Sequence, residues 1–361
     1  MKNGDIVQKL LAWFARHARD LPWRRTRDPY AIWVSEIMLQ QTQVKTVLPY
    51  WRRWLRALPH LAALADAPPA TLHKLWEGLG YYARVRNLQR AAQIIQQQHH
   101  GRFPRDFDAV RALPGIGRYT AGAICSIAFN QPRPVLDGNV MRVLARLYGV
   151  AGNPRAGKAN ARLWELAEAL VRRAAGLRAR RGCAALNQSL MELGALVCAP
   201  RQPRCALCPV SGACVAHRTG RVAELPERPR RTRPTPRRFM AFVVERHGRV
   251  LVRQRPAGGV NARLWEFPNV EVAPGDSDAR AAARKALGRL PAALEPLAAL
   301  QHTITRYRIT LAAYRAAWRG ETTPSRAGAR WVERRALNQL AFASAHRKIL
   351  RQLQAGPGKP S

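Results

Sequence analysis

Two acids, one glycine hairpin and four clustered cysteines are the side chains of this sequence whose types and spacing could do chemistry. Leu113-Pro114-Gly115-Ile116-Gly117 runs into Arg118-Tyr119-Thr120-Ala121-Gly122, and a further apolar run ends at Leu136-Asp137-Gly138-Asn139. Gly115 and Gly117 permit positive φ and close approach of another backbone, so the turn can aim free N–H groups and the next helix's N-terminus at a phosphate. Alone, such a Gly-x-Gly is often a plain turn, and an aspartate ahead of an apolar run a plain N-cap. Asp137 can be both cap and reagent: Val140, Val143, Leu144 and Leu147 mark a helix starting just after it, whose free N–H groups hold a carboxylate anionic.

Glu36 lies in Tyr30-Ala31-Ile32-Trp33-Val34-Ser35-Glu36-Ile37-Met38-Leu39-Gln40-Gln41-Thr42, a helix followed by a polar break. At helical periodicity Ile32, Leu39 and Gln40 share its face, so the carboxyl points at an apolar surface that should raise its pKa. An acid poised near neutrality is what leaving-group protonation needs, whereas a solvated helix glutamate does nothing.

Cys198, Cys205, Cys208 and Cys214 follow the spacing C-x6-C-x2-C-x5-C, a compact loop able to present four thiolates to one metal centre. Structural zinc, disulfides and a [4Fe-4S] cluster are the chemistries open to it. Zinc sites more often pair two C-x2-C knuckles, and disulfides belong to secreted chains. Cys125 and Cys183 stand alone in apolar helical stretches, as small core residues do.

Charge narrows the partner. The 361 residues carry 61 Lys+Arg against 22 Asp+Glu, a formal net charge of +39 shared by both halves. A phosphate-rich polymer, double-stranded DNA first of all, is the expected partner, bound less tightly as salt rises. Arginine supplies most of the excess, which coding bias alone could raise, so the charge supports this inference without specifying it. No apolar run of roughly 18 residues offers a membrane span, and Met1-Lys2-Asn3-Gly4-Asp5 lacks a signal-peptide core. The expectation is a soluble monomer without membrane partners, cytoplasmic and working on the bacterial nucleoid.

The elements that must position these residues follow from periodicity. From Ile6 to about Ala195 apolar residues recur at three and four spacing, broken at Leu21-Pro22, Leu58-Pro59, Pro68-Pro69, Phe103-Pro104 and Gln131-Pro132, which predicts an all-α domain over 1–217. Residues 218–238 carry Pro226, Pro229, Pro234 and Pro236 among arginines and suit an extended basic linker. Residues 239–361 turn β-rich: Phe239–Val244 and Val250–Arg255 flank His247-Gly248, a hairpin signal, and Thr303–Trp318 is strand-like. With one helix over Ala279–Leu290, this part is α+β.

The hairpin and its following aspartate resemble the helix-hairpin-helix base-excision glycosylases of the endonuclease III superfamily. Ser35-Glu36-Ile37-Met38-Leu39-Gln40-Gln41-Thr42-Gln43-Val44, Gly78-Leu79-Gly80-Tyr81-Tyr82-Ala83-Arg84 and Leu136-Asp137-Gly138-Asn139-Val140 resemble, more narrowly, segments of the MutY family of adenine DNA glycosylases. The likeness covers the helical part and, more loosely, the rest. It implies an all-α helix-hairpin-helix glycosylase domain with a [4Fe-4S] loop over 198–214, followed by a Nudix-like α+β domain that reads the opposite base.

What the resemblance implies can be placed residue by residue. Glu36 would protonate a ring nitrogen of an extruded adenine, and Asp137 would stabilise the oxocarbenium-like sugar. Tyr119 and Asn139 would tune the pocket and hydrogen-bond these acids. Leu113, Gly115, Gly117 and Arg118 would hold the DNA backbone, and Gln41 and Tyr81 would insert and stack beside the opposite base. Cys198, Cys205, Cys208 and Cys214, with one C-x2-C flanked by six and five residues, would hold the cluster as a clip for a basic loop, with Arg201 and Arg204 on phosphates.

Two departures matter. Lyase-competent relatives carry a lysine where this chain has Tyr119; without that amine the expectation is a monofunctional glycosylase leaving an abasic site. The rival is an endonuclease III-like glycosylase/lyase for oxidised pyrimidines. In His302-Thr303-Ile304-Thr305-Arg306-Tyr307 the family commonly shows Phe-Ser-His in place of Ile304-Thr305-Arg306; Thr305 keeps a hydroxyl for 8-oxoguanine, and Arg306 would contact a phosphate or base. Arg255-Pro256 and Leu264-Trp265-Glu266-Phe267-Pro268 resemble the entrance to a Nudix fold. Residues 275–290 contain no glutamate, so no magnesium-dependent hydrolysis of diphosphates is expected. The expected reaction is removal of adenine from pairs with 8-oxoguanine or guanine.

Overall fold

A computed structural model describes residues 3–177, 179–227, 233–304, 306–318 and 328–355. The helices are α1 (Asn3–His17), α2 (Pro29–Leu39), α3 (Val44–Ala57), α4 (Leu61–Asp66), α5 (Pro69–Trp76), α6 (Ala83–Gln98), α7 (Phe107–Ala112) and α8 (Arg118–Phe129). They continue with α9 (Gly138–Tyr148), α10 (Gly157–Ala175), α11 (Gly182–Leu196), α12 (Val215–Arg218), α13 (Ala279–Leu287) and α14 (Ser344–Ala355). The strands are β1 (Thr235–Arg246), β2 (Arg249–Gln254), β3 (Trp265–Glu266), β4 (Asn269–Val272), β5 (Ala293–Ile304), β6 (Tyr307–Ala317) and β7 (Ala329–Glu333). Contacts group Met1–Asp66 with Asn87–Arg230 in one compact unit, and Ala67–Arg86 with Arg231–Ser361 in another.

Aspartate caps start several of these helices. Asp28 accepts from the N–H groups of Tyr30 and Ala31, with Pro29 preset in the first turn, and Asp106 and Asp137 cap α7 and α9 in the same way. Each satisfies N–H groups that a helix start leaves orphaned. In the helical unit, apolar side chains of α1, α9, α10 and α11 share one core with Val135, Leu136 and Val210. The cysteine loop packs on that core from one side, through Cys198, Cys208 and Cys214.

α2 is not amphipathic. Every residue from Tyr30 to Met38 is buried, Ser35 and Glu36 included. The apolar face expected around Glu36 is therefore an apolar surround, and the helix runs through the interior. Two aromatic polar groups at this helix are met inside the protein: Tyr30 Oη donates to Leu58 O at 2.8 Å, and Trp51 Nε1 to Ala31 O at 2.9 Å.

The second unit is built on a mixed sheet, ordered β3-β2-β1-β6-β5, with β4 also on β1 and β7 also on β2. β1 and β6 are parallel and the other pairs antiparallel. Side chains alternate along β1: Met240, Phe242 and Val244 pack with α13, while Ala241 and Val243 pack with Ile349, Leu350 and Leu353 of α14. The sheet is thus covered by one helix on each face, as period-two patterning requires. His247 and Gly248, at φ 45° and 71°, form the tight turn between β1 and β2, the double positive φ that matches strand twist.

The stretch 218–238 is used at both ends. Leu225 is buried and its carbonyl accepts from Arg146 Nε at 2.8 Å, while β1 already begins at Thr235, pairing Thr235 with Tyr307. Pro236 is tolerated because this end of β1 has a partner strand on one side only, where a missing N–H costs nothing. α13 contains no acid, as the sequence requires.

Candidate active site

A cavity of about 930 Å³ opens in the helical unit, and Glu36, Tyr119, Asp137, Asn139 and Gln41 all line it. α2 brings Glu36, α8 brings Tyr119, and the start of α9 brings Asp137 and Asn139. Residues separated by about a hundred positions thus share one chamber.

Tyr119 Oη donates to Glu36 Oε2 at 2.7 Å. Glu36 is 6% exposed. Burial pushes its carboxyl up to about 7, the Tyr119 hydrogen bond pulls against that, the nearby Asp137 charge adds to it, and Arg24 opposes it. Burial and the two acids drive the Tyr119 hydroxyl well above its usual value, so it stays a donor. A carboxyl that titrates near 7 is able to give up a proton at neutral pH.

Asp137 is held differently. Its Oδ1 accepts from Val140 N at 2.8 Å and Asn139 N at 3.1 Å, and its Oδ2 from Asn139 Nδ2 at 2.9 Å. Burial raises its pKa above the ordinary aspartate value; these three donors and Arg142 act against the rise. Three donors aimed at one carboxylate favour its anion. Gly194 makes this possible: a Cβ there would stand 2.6 Å from Asn139 Cβ, so only glycine lets α11 approach so closely.

The hairpin splits into two different glycines. Gly115 has φ 78°, and a Cβ would fall 2.8 Å from Asn87 Cβ. Gly117 has φ −92° and ψ 178°, and a Cβ there would meet nothing. The expectation of positive φ therefore holds at Gly115 alone, because one left-handed residue suffices to reverse the chain. Gly117 caps α8 without a side-chain acceptor, leaving first-turn N–H groups open to an anion. Leu113 is buried, and Arg118 places its guanidinium 4.0 Å from the Trp164 ring centre.

Gln41 sits just past α2 at φ 59°. In the second unit Tyr81 stands at φ 48° and is 51% exposed. A bulky aromatic held in the left-handed region and presented to solvent is a conformation that folding alone does not favour. Arg201 and Arg204 are exposed on the cysteine loop. At the β5–β6 turn, Arg306 is exposed and its Nη2 donates to Tyr307 Oη at 3.0 Å; Thr305 lies outside the described residues.

Residues 34–169 match the HhH-GPD superfamily base excision DNA repair protein family, and residues 240–352 match the NUDIX domain. Adenine DNA glycosylase of Rattus norvegicus is 37% identical, covering 95% of this chain and 77% of its own. That of Homo sapiens is 36% identical, covering 96% and 73%. The chain belongs to the adenine DNA glycosylase family. A thermostable thymine-DNA glycosylase is similar in structure, with TM-score 0.54 and 31% identity over 60% of this chain and 97% of its own. Endonuclease III, in a non-covalent DNA complex, shares the fold, with TM-score 0.50 and 21% identity over 61% and 98%.

In this adenine DNA glycosylase relative, three cavity residues escaped sequence reasoning. Glu192, 1% exposed, accepts from Arg19 N, Nε and Nη2 and from Arg24 Nη1 and Nη2, at 2.7 to 3.1 Å. Burial works against its charge, but the Arg19 and Arg24 hydrogen bonds bring its pKa down to about 2. The signal was present: Glu192 stands alone in Leu190-Met191-Glu192-Leu193-Gly194, and an acid in an apolar helix needs a buried partner.

The cysteine loop is tied to the same helix that carries Asp137. Arg142, one turn into α9, donates to Cys198 O at 2.7 Å, to Gly194 O at 2.8 Å and to Asn139 Oδ1 at 2.9 Å. One turn further, Arg146 Nη1 reaches Cys198 Sγ at 3.4 Å and Ala199 O at 2.8 Å. All four cysteines line one small cavity with Arg146 and His217. Four thiols around one cavity can supply one thiolate to each of four irons, as a [4Fe-4S] cluster requires. The donor set fits a cluster.

Proposed function

We propose that this chain removes adenine paired with 8-oxoguanine or guanine in duplex DNA, by monofunctional hydrolysis that leaves an abasic site. The observation that supports the reading is the Glu36–Tyr119 pair: burial raises the carboxyl to about 7, and the group hydrogen-bonded to it is a phenol and not an amine.

An adenine turned into the cavity would meet Glu36, whose proton passes to a ring nitrogen. The bond from N9 to C1′ breaks, its electron pair leaving with the now neutral base, and Asp137 faces the cationic sugar. Water adds to C1′, and the proton it sheds replaces the one Glu36 gave. Tyr119 steadies the Glu36 carboxylate as it forms, and Asn139 orients Asp137.

On the duplex, Leu113, Gly115, Gly117 and Arg118 would hold the backbone by the open N–H groups of α8, and Arg201 and Arg204 would neutralise phosphates. Gln41 and Tyr81 would fill the space left by the flipped base, and Arg306, with Thr305, would read the opposite one. Cys198, Cys205, Cys208 and Cys214 would hold a [4Fe-4S] cluster. That cluster would act as a structural clip for the basic loop. The protein would act as a cytoplasmic monomer on the nucleoid.

Single-turnover excision tests this, on duplexes with adenine opposite 8-oxoguanine, guanine or thymine and on one with thymine glycol, each with and without alkali. Alkali-dependent cleavage at mispaired adenine, fastest opposite 8-oxoguanine, is expected. Alkali-independent nicking at thymine glycol would mean an endonuclease III-like lyase instead.

A further inference from the structure

The second unit contains more than a sheet with two helices: residues 67–86 belong to it, and Tyr81 is among them. Gly78, Gly80 and Tyr81 all have positive φ, at 106°, 71° and 48°. A backbone path of that kind persists only where its surroundings over-determine it.

Two clamps do so. At the tip, Arg84 Nη2 donates to Leu79 O at 2.9 Å and Gly80 O at 3.1 Å, and its guanidinium lies against the Trp76 and Tyr81 rings. At the base, Glu77 ends α5 and turns its carboxylate to the segment before α14. Its Oε1 accepts from Phe342 N at 2.8 Å. Its Oε2 takes Lys74 Nζ at 2.7 Å and has Arg347 Nε at 3.8 Å, and Lys74 also donates to Leu340 O at 3.1 Å. Phe342 is itself fully buried and bridged to Trp265, so Glu77 is moored to the buried core of this unit.

We propose that Glu77 is a positioning residue, anchoring the Tyr81 loop to the Phe342 backbone so that the exposed ring is preset for DNA. This rests on the reading of Tyr81 as the side chain that stacks beside the base opposite the adenine. A ring fixed in advance loses no ordering entropy on binding, so the anchor acts on duplex affinity and not on the bond-breaking step.

The test measures the dissociation constant for a duplex bearing a non-hydrolysable adenosine analogue opposite 8-oxoguanine, and separately the excision rate at saturating enzyme. Wild type, Glu77→Ala, Glu77→Gln, Tyr81→Ala and the Glu77→Ala/Tyr81→Ala double variant are compared. Glu77→Ala and Tyr81→Ala should each weaken affinity roughly tenfold, the scale of one charge-assisted hydrogen bond or one stacked ring. The double variant should be no weaker than the weaker single, and the saturated rate should stay within threefold of wild type for Glu77→Ala. Glu77→Gln keeps an oxygen for Phe342 N–H and should lose only about threefold; if Glu77→Ala does not fold, it carries the same comparison. Wild-type affinity in the Glu77 variants with loss in Tyr81→Ala, or independent losses that multiply, would overturn the anchor. Wild-type affinity in Tyr81→Ala would overturn the reading of Tyr81 and the anchor with it.

Discussion

Tyr119 Oη and Glu36 Oε2 stand 2.7 Å apart, with the phenol as donor. Both groups are pushed up by burial, Glu36 to about 7 and Tyr119 well above its usual value. The phenol therefore keeps its proton through the whole range in which Glu36 titrates, and the hydrogen bond favours the Glu36 anion.

The pH dependence of excision follows. As a general acid Glu36 must be protonated, so the rate should fall as pH rises through about 7. Tyr119→Phe removes the donor that lowers this pKa, so the same limb should move to higher pH. Single-turnover rates between pH 5.5 and 9 read the shift; a profile unmoved by Tyr119→Phe would show that the phenol does not govern the acid. Glu36→Gln should bind duplex but lose on the order of a hundredfold or more in excision.

The same acid should cost stability. A carboxyl raised from an unfolded value near 4.5 to about 7 makes the native state bind more protons between those limits, so stability falls as pH rises through that window. Glu36→Gln should be more stable than wild type at pH 8, by up to about 3 kcal/mol, a ceiling set by 1.4 kcal/mol per pKa unit. The gain should vanish below pH 4.5. Thermal unfolding at pH 8 and pH 4 measures it, and an equal effect at both would contradict it.

Glu192 titrates the other way. Its pKa of about 2 lies below the unfolded value, so its contribution is present above about pH 4.5 and is lost as pH falls toward 2. Glu192→Gln leaves the half-buried Arg24 against a neutral amide and should cost about 2–4 kcal/mol at pH 7, below the full penalty for a broken buried pair because Arg19 and Arg24 are both partly solvated. Denaturant unfolding of the variant at pH 7 checks this; wild-type stability would mean the guanidinium groups find water instead.

The contrast between Glu36 and Glu192 shows where the sequence was informative. Glu36 sits within a continuous motif, and helical periodicity next to apolar residues already pointed to a raised pKa. Asp137 was legible as a cap, since a helix start announces itself locally. Glu192 was legible only as an acid in need of a buried partner; that the partners are Arg19 and Arg24, about 170 positions away, no local pattern encodes. The domain classes followed from period 3.6 giving way to period 2. The all-round burial of α2 did not, because an apolar helix looks the same in sequence whether half or wholly enclosed.

Cluster chemistry makes its own prediction. With four cysteines around one small cavity and Arg146 on Cys198 Sγ, the protein should carry about four irons per chain and absorb in the visible, as thiolate-ligated clusters do. Cys208→Ser should lose iron and weaken duplex binding while leaving α2 and its acid in place. A colourless protein with one zinc per chain would refute the cluster.

The two hairpin glycines should separate folding from binding. Gly115 stands at φ 78° with Asn87 2.8 Å from where a Cβ would be, whereas Gly117 has an extended backbone and open space. Gly115→Ala must therefore strain the turn and push Asn87, costing roughly 1–2 kcal/mol of stability. At Gly117 a Cβ meets nothing within 4 Å, so Gly117→Val should unfold close to the wild-type midpoint. Its side chain, however, stands over the uncapped N-terminus of α8, where a phosphate would approach within hydrogen-bond distance of backbone N–H. Affinity for duplex should drop about tenfold or more, equally for matched and mispaired DNA, because a backbone contact carries no sequence information. Wild-type affinity in Gly117→Val would mean that α8 does not hold the backbone, and the burden of binding would shift to the arginines of the cysteine loop.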